Sequence, residues 1–156
     1  HPRVRGTESG KEFILATRDE SGTGKEITLT EKDISEIQLA KGAIASGINI
    51  LLKSAGISWQ QVDQVIIAGA FGTYIDVASA ISIGMLPPLP VERFSQVGNA
   101  AGVGAKLALV SKARRQMAVD IARRVNYVEL TGYPDYPRVF ANALRFSPAR
   151  NWRDNG

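Results

Sequence analysis

Two glycine-centred turns, each set between an apolar run and a helix-like stretch, constrain this chain more than any other feature. The first lies in VIIAGAFGTYID, residues 65–76, and the second in FSQVGNAAGVGAKLAL, residues 94–109. Each reads as strand, small-residue turn, helix. Apolar runs with β-branched residues suit buried strands, and glycine lets a backbone come close to a ligand or to another backbone. A helix that starts just after such a turn points free N–H groups and the positive end of its dipole at the turn, a natural place for phosphate. The same glycines also serve tight turns and close packing. On the residues alone, both readings stay open.

The bulk of the chain narrows what those turns can serve. Its 156 residues suit one domain with a real core. Hydrophobic residues make up 44% and charged residues 22%, an ordinary globular balance. There is no cysteine, which excludes disulfides, thiolate metal sites and a cysteine-held iron–sulfur cluster on this chain. The single histidine, His1, argues against a histidine metal site or a catalytic triad. The net charge of +4 is mildly basic. Arg114, Arg115, Arg123 and Arg124 lie along one expected helix and read as a solvated face, so no nucleic-acid partner is expected. The opening residues are polar and unlike a signal peptide. No apolar run reaches the roughly 18 residues of a membrane span. The expectation is a cytoplasmic protein with no membrane partner.

Along the chain, residues 1–10 are expected to be loose, and residues 12–17 and 26–30 to form two strands joined by the hairpin loop ESGTGK. Thr30 opens a helix, with Asp33 in a capping-box position. That helix runs from residue 31 to about 55, because Ile34, Ile37, Ala40, Ile44, Ile48, Leu51 and Leu52 recur at helical spacing. Within it Ala40, Gly42, Ala43, Ala45 and Gly47 form a small-residue stretch. Each glycine costs roughly 1 kcal/mol of helix propensity against alanine. Packing from outside must hold the helix, and a sheet containing residues 64–68 and 94–97 is the simplest partner. Gly56 suits the position just past the helix.

A short helical turn is expected at Ser58, and a helix over residues 74–83 ended by Gly84. MLPPLP, residues 85–90, is an ordered crossover, because proline fits neither a helix interior nor a central strand. Residues 99–124 read as a second long helix, 125–130 as a strand, 134–146 as a covering helix and 147–156 as a loose polar tail. The alternation of strands and helices argues for an α/β layer fold, with the opening hairpin a candidate for the same mixed sheet.

The blocks DISEIQLAKGAI (33–44), IIAGAFGTYID (66–76), GMLP (84–87) and GNAAGVGAKLAL (98–109) together resemble the C-terminal ATPase region of the reductive activators of corrinoid enzymes. The resemblance keeps one register over residues 12–146. It implies a ribonuclease-H-like lobe of the acetate and sugar kinase, Hsp70 and actin superfamily, with a mixed sheet and packed helices. It also implies ATP with Mg²⁺ held between two lobes, and a parent protein that returns Co(II) corrinoid proteins to Co(I) by ATP-dependent electron transfer. By the same resemblance, Gly69, Ala70, Phe71 and Gly72 follow the strand where the superfamily binds adenosine. Gln38 and Lys41 are the polar members of the preceding helix placed to reach the nucleotide, and Gly98 and Asn99 belong to the second turn. Gly102 and Gly104 are expected to pack a helix against the sheet.

The departures are equally informative. No Asp-x-Gly phosphate turn opening a hairpin is present, and the family's iron–sulfur domain needs cysteines that this chain lacks. The chain therefore reads as a single C-terminal segment, 1–156, of a longer activator. Its expected partners are a corrinoid protein and the missing N-terminal regions, and it carries no complete catalytic set. Two other readings stand beside this one. The first is a non-catalytic module that docks a corrinoid protein or a missing lobe without binding nucleotide. The second is a dinucleotide-binding enzyme, which the G-x-x-x-G-x-G spacing of the second turn disfavours.

Overall fold

The structure is a computed structural model that describes residues 1–8, 10–147 and 152; of Phe71 only the backbone is described. An antiparallel sheet opens the chain, with β1 (Val4–Thr7), β2 (Gly10–Ala16) and β3 (Ile27–Thr30) in that spatial order. Val4 stands opposite Phe13, and Phe13 opposite Leu29. Residues expected to be loose thus include an edge strand. Arg5 holds that edge by ion pairs to Glu12 and Glu26 across the sheet.

Helix α1 (Glu31–Ala55) follows directly and is the spine of the molecule. It begins where the sequence predicts. The Thr30 hydroxyl accepts a hydrogen bond from the Asp33 N–H at 3.2 Å, and the Asp33 carboxylate accepts one from the Thr30 N–H at 2.9 Å. It ends at Gly56, whose φ of 68° is left-handed and suits glycine.

The small-residue stretch of α1 has a different partner from the one expected. It packs chiefly against α6 (Tyr136–Ala143), not against a sheet. A Cβ on Gly42 would come within 2.9 Å of Leu144 Cδ2, and one on Gly47 would meet Leu130 at 3.5 Å. Lys41, fully buried, donates from Nζ to the carbonyl oxygens of Ala143 at 2.5 Å and Arg145 at 2.7 Å. These carbonyls lie at and just past the C-terminal end of α6, where a cation is favoured. The same ammonium sits 5.5 Å from the centre of the Phe146 ring. At the other end of α6, Lys53 pairs with Asp135 at 3.0 Å. Trp152, expected in a loose tail, is buried with Ala45 and Ala143, and its carbonyl accepts a hydrogen bond from Trp59 Nε1 at 2.8 Å. The rest of the expected tail beyond Ser147 lies outside the described residues.

A parallel pair, β4 (Val65–Ala68) and β5 (Phe94–Gly98), forms a separate sheet, so the opening hairpin does not join it. The connection between them carries α2 (Ala70–Tyr74), α3 (Val77–Ser82) and the proline-rich crossover. One helix was expected over residues 74–83. The helix there, α3, starts only at Val77, because the Asp76 side chain accepts from the Ser79 N–H at 2.7 Å and caps it, and α2 is an additional helical turn that begins before the expected span. Crossover residues Met85, Leu86, Pro87 and Leu89 are buried, and Met85 and Leu86 form a core with Val77 and Ala80. Ile48 of α1 touches both this core and the one around Trp152, so a single side chain joins the two halves of the interior.

The expected long helix after the second turn is also divided, into α4 (Ala100–Val110) and α5 (Lys112–Ala122). Ser111 between them is extended, and its hydroxyl accepts from the Arg114 N–H at 3.3 Å. A serine that caps the next helix competes with continuation of the previous one. Arg115 completes the break by donating to the carbonyls of Ala108 and Leu109 at the end of α4. Residues 125–130 form no strand. There the Glu129 carboxylate gathers the Tyr127 hydroxyl and the Thr131 N–H and hydroxyl into a local turn.

The α1 cap yields a measurable pH dependence. The Thr30 backbone and hydroxyl hydrogen bonds hold the Asp33 carboxyl below its ordinary pKa. That contribution is therefore complete above the ordinary aspartate value and disappears as pH falls through the depressed folded one. Thr30→Ala is expected to cost about 1 kcal/mol in urea denaturation near neutral pH. Asp33→Asn is expected to flatten the loss of stability as pH falls below the ordinary aspartate value. An unchanged acid profile in Asp33→Asn would show that the cap does not bear on folding.

Candidate functional site

The two glycine turns lie side by side at the carboxyl ends of β4 and β5. In parallel α/β sheets that edge is where ligands bind. The pairing keeps register up to Ile67 opposite Gln96, then shifts so that Ala68 faces Gly98. Just beyond, the Gly69 N–H donates to the Gly98 carbonyl at 2.6 Å, and this bond fixes one turn to the other. Gly69 has φ 96° and Gly98 φ 60°, both in the region that glycine tolerates and side chains resist.

The glycines do different work. Among the described residues, a Cβ on Gly69 would meet nothing within 4 Å, so none of them covers the backbone there. A Cβ on Gly72 would come within 2.5 Å of Ile67 Cγ2, so Gly72 serves the packing of α2 on β4. Gly102 is small because the Asn99 side chain lies against it, accepting from its N–H at 2.9 Å. Asn99 is thus the N-cap of α4. Gly102 meets Asn99 and not the sheet, and among the described residues nothing lies within 4 Å of a Cβ on Gly104, so neither packs α4 onto the sheet as expected.

Of the residues singled out from the sequence, Gly69, Ala70, Gly72, Gly98 and Asn99 are brought to this edge. Ala70 is exposed at the first position of α2, and the side chain of Phe71 lies outside the described residues. Gln38 and Lys41 are placed differently. Gln38 is half-buried on α1. The Lys41 ammonium is engaged with α6, and burial pushes its pKa below the ordinary lysine value. Lys41 also lies seven residues, about 10 Å along the helix axis, before Ile48, where α1 meets the β4–β5 core.

Sequence reading missed Gln96. From the middle of β5 its Nε2 donates to the carbonyls of Gly72 and Ile75, the latter at 2.9 Å, and so ties α2 to the strand. A lone amide within the run FSQVG was the available signal, because a polar side chain in such a run needs partners. Thr73 adds a bond from its hydroxyl to the Gly69 carbonyl at 3.2 Å.

The edge presents backbone at Gly69, an adjacent turn at Gly98 and an exposed small residue at Ala70. Among the described residues no group of three or more His, Cys, Asp or Glu side chains could hold a metal ion. Nor, among them, is any helix long and apolar enough to cross a membrane.

Residues 1–153 match the model of a family described as the C-terminal domain of RACo, the ASKHA domain. This chain belongs to that family. It is 38% identical over 128 residues to the corrinoid activation enzyme RamQ of Eubacterium limosum, a match covering 82% of this chain and 22% of RamQ. It is 29% identical over 102 residues to a [Co(II) methylated amine-specific corrinoid protein] reductase of Methanosarcina barkeri, covering 65% of this chain and 19% of that protein. The solved structure of a reductive activator for corrinoid, iron–sulfur protein superposes with a TM-score of 0.79 at 39% identity, covering 94% of this chain and 23% of that one. The chain thus spans only about a fifth to a quarter of the relatives it matches. The ASKHA assignment agrees with the α/β class read from the sequence.

The Gln96 tie is open to test. Gln96→Leu removes the donor to two carbonyls and is expected to cost about 1 kcal/mol. Amide hydrogen exchange over residues 72–76 should quicken, while exchange in β1 and β2 stays as it was. Equal protection in both proteins would mean that Gln96 does not hold α2.

Proposed function

We propose that this chain is the C-terminal part of the ATP-binding region of a reductive activator, one that uses ATP to drive reduction of a Co(II) corrinoid protein to Co(I). The observation that carries this reading is the locked pair of turns, Gly69 bonded to Gly98, with none of the described residues over Gly69, in a chain of the ASKHA family. The names of the matched relatives support the corrinoid side of the proposal.

In this proposal the turn at residues 69–72 meets the adenosine group, and the turn at Gly98 and Asn99 closes the same edge. ATP would supply the free energy for a reduction that is otherwise uphill. An iron–sulfur cluster, which would supply the electron, would have to be held outside these 156 residues, because no cysteine is present here. Gln96 and Thr73 keep the Gly69 turn rigid, so that adenosine would meet a pre-formed surface. Lys41 acts one step removed by fixing α6 on α1. For ATP to drive reduction, it must interact differently with two arrangements of the lobes. This segment would be one wall of the cleft whose arrangement changes.

The test is the ATP requirement of Co(II) reduction by the full-length protein. Gly69→Val sets a branched side chain both into a left-handed backbone position and into the space reserved for adenosine. Ala70→Phe fills the same edge from an exposed helical position without that strain. Both variants are expected to lose ATP-dependent activation at least tenfold while a folded circular dichroism spectrum is kept by Ala70→Phe, a loss of about 1.4 kcal/mol or more. Full activation by folded Ala70→Phe at the usual ATP requirement would remove this edge from the mechanism. If the full-length protein activates its partner yet shows no ATP binding by calorimetry, the docking-module reading takes its place.

A further inference from the structure

Helix α6 packs chiefly on one element, α1, and the residues past it return to the same helix. The Phe146 ring lies 5.5 Å from the Lys41 ammonium, and Trp152 is buried with Ala45 and Ala143. An element docked on one neighbour is the kind of unit that opens locally, at less than the free energy of global unfolding. Its central fastener is polar. Lys41 is fully buried, and its ammonium bridges the Ala143 and Arg145 carbonyls. Among the described residues no carboxylate pairs with it. Such a cation has two good states. It is satisfied by both carbonyls when α6 is docked, and by water when α6 is away. Between the two it is a buried charge short of partners, which is costly. An apolar side chain would tolerate intermediate positions, whereas Lys41 makes docking close to all-or-none.

The contacts of α1 carry this docking toward the glycine edge. Ile48 packs on the cluster of Ala45, Ala143 and Trp152 and also on the core that includes Ile67 and Ile75. Ile67 is the side chain that Gly72 lies against, and the Ile75 carbonyl accepts from Gln96. The C-terminal elements and the Gly69 turn thus lean on one stretch of α1. We propose that α6, residues 144–147 and Trp152 form a two-state strap on α1, pinned by Lys41, whose docked state stiffens the glycine edge over residues 72–76. Neither the strap nor its link to the edge needs a ligand. Where the edge binds ATP, as in the functional reading above, nucleotide also favours the docked strap, because coupling between two sites is reciprocal.

The experiment is hydrogen–deuterium exchange on the full-length protein without nucleotide, comparing wild type with Lys41→Met and, separately, with Trp152→Ala. Lys41→Met keeps the length of the side chain and removes the donor. Trp152→Ala loosens the strap from its far end and leaves α1 untouched, so the strap can be read even where Lys41→Met fails to fold. In either variant, amides 139–145 are expected to exchange faster by one common factor of about ten or more. Amides 72–76 should quicken several-fold, with β1 and β2 unchanged. Unchanged exchange at 139–145 would overturn the strap, and so would equal acceleration in every element, opening sheet included. Faster exchange at 139–145 with 72–76 unchanged would overturn its link to the edge. ATP with Mg²⁺ added to wild type is expected to slow 139–145. A protein whose variants respond as expected, but whose strap ignores ATP, would count against the nucleotide reading alone.

Discussion

The hydrogen bond from the Gly69 N–H to the Gly98 carbonyl sets the geometry on which the rest of the functional edge depends. It joins two loops that end neighbouring parallel strands, and so turns two separate glycine motifs into one surface. Both backbones must adopt positive φ to make it, which only glycine does without strain. Everything adjacent keeps that bond in place. Gly72 lets α2 lie close to Ile67, Gln96 ties α2 back to β5, and Asn99 starts α4 immediately after the second turn.

Behind this edge, α1 is held by contacts distant in sequence. Lys41 reaches carbonyls more than a hundred positions away, and Gly42 lets Leu144 and Phe140 approach. A buried ammonium without a carboxylate would be costly, and here backbone oxygens at a helix end offset that cost. Ile48 then carries the rigidity of the α1–α6 half into the core beneath β4 and β5. The small-residue stretch that weakens α1 as an isolated helix is thus the means by which α6 packs against it.

Much of this was legible in the residues. The Thr30–Asp33 cap, the helical spacing of isoleucines in α1, the stop at Gly56 and the ordered crossover all follow from local rules, and all stand as read. Both strand–turn–helix units were legible for the same reason. What stayed hidden depended on partners far along the chain or on competition between near-equal local choices. Nothing adjacent to Lys41 announces α6, and nothing near Trp152 announces that Ala45 and Ala143 bury it. Ser111 divides one expected helix and Asp76 delays the start of another, because each side chain caps the helix that follows it. Of the candidate site, the glycines and Asn99 were legible from turn chemistry, whereas Gln96 acts through a fold-dependent contact to Gly72 and Ile75.

The central claim is that the locked pair of turns is the adenosine edge of a nucleotide site. Hydrogen–deuterium exchange on the full-length protein, with and without ATP and Mg²⁺, tests it most directly. The account predicts slower exchange on nucleotide addition at residues 69–72 and 98–102, with residues 4–16 of the opening sheet unchanged. Protection that appears elsewhere while both turns exchange at their nucleotide-free rates would contradict it.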